Sequence, residues 1–198
     1  MDEGDYTCVQ LDEFGTPQFA ELYDSGRLFH VDHWTSDLDG AREEHLARCP
    51  GIPFGIQLAV QETGNHRWSV SHRFSGSGAR VGYLVRLERN DTYDAPLMTL
   101  HIDIGRQLTK IEKNFYDSDG QRHYVFEYDP RGDVQVVLDL PEGSTPRLAT
   151  ALGAVDVPGF YREGFALPAG IARSSIPLLD GQPQRRPAPG RHPQQGLS

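Results

Sequence analysis

The residue with the clearest chemical potential in this sequence is His72. It stands between Val70 and Phe74 in an alternating segment, so the period of two predicts that its side chain points inward. One imidazole in an apolar interior can orient a bound ligand through a hydrogen bond. It can equally be a core histidine that bonds to a backbone carbonyl or a neighbouring tyrosine. Both interpretations are open at the level of sequence.

Two histidine–carboxylate pairs have the spacing of metal ligands on a strand, His30 with Asp32 and His101 with Asp103, and His33 follows the first pair. Side chains at i and i+2 point the same way on a strand, so either pair could begin a two-histidine, one-carboxylate iron site. The second pair is expected on the polar face, and the first would need a remote partner such as His72. We therefore predict no metal site and no cofactor.

The elements that must position these side chains are strands. Apolar and polar residues alternate in seven segments, and turn residues close each one, as in Asp117-Ser118-Asp119-Gly120. The segments are residues 54–61, 67–74, 81–87, 98–104, 108–116, 122–128 and 134–140. Because each has one polar face and no helix lies between them, antiparallel pairing is expected.

A meander of this length must protect its edge strands, by closing into a barrel or by folding into a sandwich. We predict a mainly β protein, an antiparallel β-barrel of about seven or eight strands that spans residues 52–170. The stretch 160–165 is either the eighth strand or a covering segment. Thr145-Pro146 is typical of a helix start.

Residues 1–51 are predicted to be an acidic helical lead that packs on the barrel. Thr16-Pro17 resembles an N-cap followed by proline at the first helical position. A second helix is expected to begin at Ser36, with Asp39 three residues later, and to end at Pro50-Gly51. Residues on one face of each helix share apolar character: Phe19, Leu22 and Tyr23 in the first, and Leu38, Ala41, His45, Leu46 and Cys49 in the second.

The last segment, residues 171–198, is rich in Pro, Arg and Gln and has almost no aromatic or β-branched residues. Such a composition buries too little apolar surface to offset the entropy of ordering the chain. We predict that this tail is disordered.

The net charge of −9 argues against nucleic acid and against an anionic membrane as partners. Residues 1–50 alone carry 12 acidic residues and 3 arginines, the opposite of a basic footprint. No secretory signal or membrane-spanning run is visible, which favours a cytoplasmic location. Only two of the 19 basic residues are lysine, a skew typical of a GC-rich coding sequence and hence of a bacterial source.

Aromatic residues on the inward faces of the central strands could line a cavity or fill a core. The candidates for contact with a ligand are Trp68, His72, Tyr83, Phe126 and Tyr128. Their polar tips need partners inside the protein, which favours a cavity.

The meander of residues 54–140 behind a helical lead, with Trp68, Tyr83 and Phe126 on one face, resembles small bacterial ligand-binding β-barrels. These are the lipocalin-like (calycin) proteins and the accessory barrel proteins of polyketide and enediyne gene clusters. The lipocalin G-x-W signature is absent. The resemblance implies a role in binding or shielding a hydrophobic small molecule, such as a polyene or polyketide intermediate, in natural-product biosynthesis.

The function expected from the sequence is therefore binding of a hydrophobic small molecule, of the fatty acid, polyene or polyketide kind, in a barrel cavity. One alternative is an enzyme that uses the same cavity, either an isomerase or cyclase or a metal-dependent oxygenase. The other is a sandwich without a cavity that binds a protein through its acidic N-terminal surface. An exposed face of the N-terminal helices could also form a homodimer contact.

Overall fold

The computed structural model describes residues 5–90 and 95–178, and within them the chain forms one large sheet and three short helices. The strands are β1 (Tyr6–Leu11), β2 (Pro17–Asp24), β3 (Arg27–Trp34), β4 (Phe54–Thr63), β5 (His66–Phe74), β6 (Arg80–Arg89), β7 (Pro96–Ile102), β8 (Leu108–Tyr116), β9 (Arg122–Tyr128) and β10 (Val134–Asp139). The helices are α1 (Leu38–Arg48), α2 (Leu148–Ala154) and α3 (Pro158–Arg162), and a 3-10 turn covers Arg173–Ser175. None of the helices in the described part of the chain is long and apolar enough to cross a membrane.

The ten strands lie in the sheet in the order of the sequence. All neighbouring strands from β4 to β10 are antiparallel, which confirms the meander predicted for residues 52–140. Strands β3 and β4 are parallel, because α1 carries the chain back between them, so the sheet as a whole is mixed. β1 and β10 are the two ends of the order, and no pairing that would close a barrel joins them among the described residues.

The two faces of the sheet differ in character, and one register row shows each. Ile56, His72, Tyr83 and Ile102 lie side by side on what we call the apolar face. The next row, with Gln57, Ser71, Leu84 and His101, belongs to the polar face.

Helices cover the apolar face in two places. Helix α1 packs over a cluster of Val31, Phe54, Ile56 and Phe74. Residues from α2 onward cover the larger cluster on β5 to β10, which includes Ala151, Phe160 and Ile176. The protein thus buries one face of its sheet under two separate helical layers.

The helix predicted after Thr16-Pro17 is wrong, because residues 17–24 are strand β2. Ser25 and Gly26 have φ values of +49° and +74°, the backbone of a two-residue hairpin turn that matches the twist of paired strands. Proline is tolerated at the first residue of a strand as well as of a helix, so Pro17 fits both states. Of the two N-terminal helices predicted to offer a dimer contact, the described residues contain α1 but not the first helix.

The second N-terminal helix is confirmed as α1, with a different cap. The side chain of Asp37, not Ser36, accepts a hydrogen bond of 2.9 Å from the backbone N–H of Gly40. The helix after Thr145-Pro146 is present as α2, and residues 158–162 form α3, which covers the sheet instead of extending it.

The predicted tail divides at the limit of the described residues. Residues 171–178 pack on the protein: Ile176 is almost fully buried in the larger cluster, and the 3-10 turn precedes it. Residues 179–198 lie outside the described residues. The disorder predicted from composition therefore begins too early at 171, since Ile171, Ile176 and Leu178 supply the apolar contacts that order this stretch.

Candidate ligand-binding pocket

A pocket with a volume of about 750 Å³ lies where several strands of the sheet end. One side is formed by strand ends, with His66 at the start of β5, Arg89 at the end of β6 and Tyr116 at the end of β8. The other side is formed by Phe160 and Tyr161 of α3. Residues far apart in the sequence therefore build this pocket together.

The inner lining is apolar and includes Leu97, Phe115, Val157 and Phe160. The rings of Phe115 and Tyr161 meet edge to face, with their centroids 6.1 Å apart. Such edge-to-face pairs are a favoured arrangement of aromatic rings and fix the position of both. The pocket accordingly presents a defined aromatic surface to an apolar molecule.

Two buried hydroxyl groups tie α3 to the sheet. The Tyr161 hydroxyl donates to the carbonyl oxygen of Asn114 at 3.1 Å, and the Tyr128 hydroxyl donates to the carbonyl oxygen of Tyr161 at 2.5 Å. Burial raises the pKa of both tyrosines well above the usual value. Both hydroxyls therefore stay protonated and keep donating.

Lys113 on β8 has no exposed surface and binds α3 and the residues that follow it from inside the protein. Its Nζ donates to the carbonyl oxygens of Phe160, Glu163 and Ala166 at 2.5, 2.6 and 2.7 Å, and it lies 4.2 Å from the centre of the Phe160 ring.

The protonation state of Lys113 follows from this geometry. Burial lowers its pKa to about 7, while the charge of Glu163 acts in the opposite direction. A neutral amine has only two N–H donors, so only the ammonium can donate to all three carbonyls at once. In its ammonium form Lys113 is therefore a charged cross-link between the sheet and the C-terminal segment, with no donor left for chemistry in the pocket.

Basic and acidic side chains both line the pocket. His66 and Arg89 line one part, and Asp117 and Asp156 line another. The Asp117 carboxylate is engaged in its own turn, since Oδ1 accepts from the backbone N–H groups of Asp119 and Gln121 at 3.0 and 2.9 Å. A smaller pocket of about 340 Å³ shares His66 and Arg89 with the larger one and adds Asn65 and Asn90. His66 and Arg89 thus belong to both pockets, and the residues that line the smaller pocket are polar.

The five residues predicted to contact a ligand lie elsewhere. Trp68, Tyr83, Phe126 and Tyr128 belong to the larger core cluster, and none of the five is among the lining residues of the pocket. The Phe126 ring lies 4.8 Å from that of Tyr161, so it and Tyr128 form the layer behind the aromatic wall. Their contact with a ligand stays a prediction.

His72 is on the apolar face, as its alternation predicts. Its ring meets Tyr83 edge to face at 5.0 Å, and burial, followed by the charge of Arg80, lowers its pKa. The buried atoms Nδ1 of His72 and Nε1 of Trp68 have no hydrogen-bond partner among the described residues. Most buried polar atoms in folded proteins have a hydrogen-bond partner, so these two atoms are exceptions.

The histidine–carboxylate pairs do not converge into a metal site. His30 Nε2 and Asp32 Oδ1 are 3.0 Å apart on the polar face, whereas His33 points to the apolar face and contacts His45. His101 bonds to Glu112 instead of approaching Asp103. Within residues 5–90 and 95–178, no three His, Cys, Asp or Glu side chains are placed to hold a metal ion.

The pocket residues were missed because alternation reports only which face of a strand is buried. The lining comes from strand ends and from residues 156–169, which no local pattern links. The sequence contains one signal that could have located this region. Lys113 falls between Ile111 and Phe115 on an inward face, and a buried charged group needs hydrogen-bond partners inside the protein.

The chain matches no protein-family model, and comparisons with curated proteins and with solved structures gave no match. The function has to be argued from the geometry of the chain itself.

Proposed function

We propose that the protein binds a small molecule with an apolar body in the pocket between the strand ends and α3. The observation that carries this proposal is the size and lining of the pocket: about 750 Å³, with Leu97, Phe115, Val157 and Phe160 facing it. Small-molecule sites are typically concave, mostly apolar and roughly 300 to 1,000 Å³ in volume.

The stiffness of the aromatic wall supports the same proposal. Lys113 and the hydroxyl groups of Tyr128 and Tyr161 fix α3 by five hydrogen bonds to backbone carbonyls. A preformed pocket loses less conformational entropy when a ligand enters, which favours binding.

The polar groups narrow the ligand class. A fatty acid, polyene or polyketide-like molecule has an apolar chain for the aromatic wall, and its polar end would lie towards the polar part of the lining, which includes His66 and Arg89. We place this activity in the cytoplasm of a bacterium, in natural-product biosynthesis. The binding site does not require the sheet to close into a barrel, because the pocket lies between strand ends and the C-terminal segment.

The first experiment is native mass spectrometry of the purified full-length chain, followed by denaturing extraction. The proposal expects a lipid or polyene adduct that is lost on unfolding. In parallel, the fluorescent polyene cis-parinaric acid is titrated into protein stripped of adducts, and palmitate is used to displace it.

A matched pair of variants locates the binding. Val157 and Val81 are 55% and 56% exposed, but only Val157 lines the pocket. Val157→Asp should weaken parinaric acid binding by about tenfold, the equivalent of about 1.4 kcal/mol, because it puts a charge of the same sign as the ligand's carboxylate into the apolar lining. Val81→Asp should leave binding unchanged. Equal binding by both variants, or no binding by the wild-type chain, would refute the proposed site.

A further inference from the structure

The outer strand β1 is the most exposed element of the described sheet. Within residues 5–90 and 95–178 it pairs with β2 alone, and all six of its residues are exposed. An edge strand of this kind offers a row of unpaired backbone groups to another extended chain. Natural proteins usually protect such an edge with charges, prolines or a covering element.

Large apolar side chains are concentrated along this edge. Tyr6, Val9 and Leu11 on β1 are 46%, 51% and 52% exposed, and Phe14 in the following turn is 83% exposed. Apolar side chains that stay in water beside an open edge are the usual signature of strand addition by a partner.

The charge around the edge selects the partner. Residues 5–26 contain five carboxylates and no lysine, arginine or histidine. The carboxylates are Asp5, Asp12, Glu13, Glu21 and Asp24. An extended partner with basic side chains is therefore attracted to this edge and an acidic one is repelled.

The same residues argue against a second copy of the chain. In the antiparallel self-pairing that joins all six residues of β1, Tyr6 lies opposite Leu11 and Cys8 opposite Val9. Continuing that register places Asp5 of each copy opposite Asp12 of the other. Like charges directly opposite each other destabilise a strand pair.

We propose that β1 is a docking edge for an extended segment of another polypeptide in which basic residues alternate with apolar ones. The segment adds as an eleventh strand beside β1. Backbone hydrogen bonds hold it, its apolar side chains lie beside Val9 and Leu11 on one face of the sheet, and its basic side chains lie on the opposite face, where Glu21 is.

The test uses the full-length, 15N-labelled protein and three blocked synthetic peptides. The first alternates lysine and valine over nine residues, the second replaces lysine by glutamate, and the third has proline at the centre of the first. The proposal expects the lysine peptide alone to bind. It should shift the amide signals of residues 6–11 and slow their hydrogen exchange. Its affinity should fall roughly fivefold between about 50 and 300 mM salt, because exposed charges are screened.

Val9→Lys and Val81→Lys are the matched variants, since the two valines are 51% and 56% exposed. Binding of the lysine peptide should weaken by about tenfold in the first and be unchanged in the second. Absence of binding, signal changes confined to residues outside β1 and β2, or equal binding of the glutamate peptide would each overturn the proposal. Concentration-dependent changes in β1 signals without peptide would overturn it in favour of a second copy.

Discussion

The Nε2 atom of His33 on β3 lies 3.1 Å from the Nδ1 atom of His45 on α1, and both imidazoles are buried. His45 Nε2 lies 3.0 Å from the carbonyl oxygen of Ile52, so this nitrogen carries the proton and donates. Nδ1 of His45 is then the acceptor, and His33 Nε2 donates to it. The contact between helix and sheet therefore requires that His45 be neutral, and burial disfavours the charged form of His33.

This pair predicts a loss of stability in weak acid. Burial, followed by the charge of His45, lowers the pKa of His33 from 6.5 to about 4, although Glu44 and Asp32 act in the opposite direction. Between pH 6.5 and about 4, the unfolded chain binds a proton at His33 that the folded chain does not bind. The stabilisation is complete above pH 6.5 and is lost as the pH falls towards 4, by about 3 kcal/mol for His33. Urea unfolding at pH 7.5, 6 and 5 measures this slope.

His33→Gln separates this effect from general acid denaturation. The glutamine amide can still donate to His45 but does not titrate, so the decline in the free energy of unfolding between pH 7.5 and 5 should become shallower. Identical slopes for His33→Gln and the wild type would show that the pair does not control acid stability.

Lys113→Met tests the charged cross-link behind the pocket. The substitution removes three hydrogen bonds and leaves the carbonyl oxygens of Phe160, Glu163 and Ala166 without this donor. We expect a loss of about 3 kcal/mol in the free energy of unfolding, together with weaker parinaric acid binding, because unsatisfied buried acceptors are costly.

Lys110→Met is the control, because Lys110 is more than one-third exposed and its ion pairs with Glu112 and Glu127 lie at the surface. Its expected cost is less than about 1 kcal/mol, as for other surface ion pairs. If both lysine variants unfold at the same urea concentration, Lys113 is not a cross-link.

The strands of residues 52–140 could be predicted because the residue types in their turns determine the turn geometry locally. In Asp117-Ser118-Asp119-Gly120, the Asp117 side chain binds two backbone N–H groups and Gly120 adopts a φ of +77°, so residue type and turn geometry coincide. At residues 17–24 the local signals conflict. Proline suits the start of a helix or of a strand, and the Ser25-Gly26 turn is decided only when β2 and β3 pair.

The pocket could not be predicted, because no local rule places α3 against the ends of the strands. Alternation correctly turns Phe126 and Tyr128 inward, yet it does not tell a cavity wall from the layer behind it. That difference depends on the Tyr128 and Tyr161 hydroxyl groups and on Lys113, whose carbonyl partners lie more than 30 residues away in sequence.

Gly55→Ala is expected to destabilise the protein from the polar face. A Cβ atom at Gly55 would lie 2.3 Å from Oδ1 of Asp32 and 2.8 Å from Oγ of Ser71, so the carboxylate has to move away from His30. We expect a cost of about 1 to 3 kcal/mol, as for other substitutions that overfill a packed site.

Gly153→Ala is expected to raise the free energy of unfolding, whereas Gly55→Ala is expected to lower it. Gly153 is in α2, its Cβ would meet nothing within 4 Å, and alanine favours a helix over glycine. The expected gain is roughly 0.5 to 1 kcal/mol. A Gly55→Ala variant as stable as the wild type would mean that Asp32 is not confined by its contacts.

Glu112 predicts a second window of acid sensitivity, at lower pH than the histidine pair. Hydrogen bonds from His101 and Lys110 lower its pKa from 4.5 to about 2, in spite of its partial burial. The carboxylate therefore stabilises the folded chain above pH 4.5, and this contribution disappears as the pH falls towards 2. Glu112→Gln should cost roughly 1 to 2 kcal/mol at pH 7 and progressively less below pH 4.5. Glu127→Gln, which loses one contact of 3.2 Å to Lys110, should cost less than about 1 kcal/mol throughout. A Glu112→Gln deficit that is as large at pH 3 as at pH 7 would show that packing, and not charge, is what this side chain contributes.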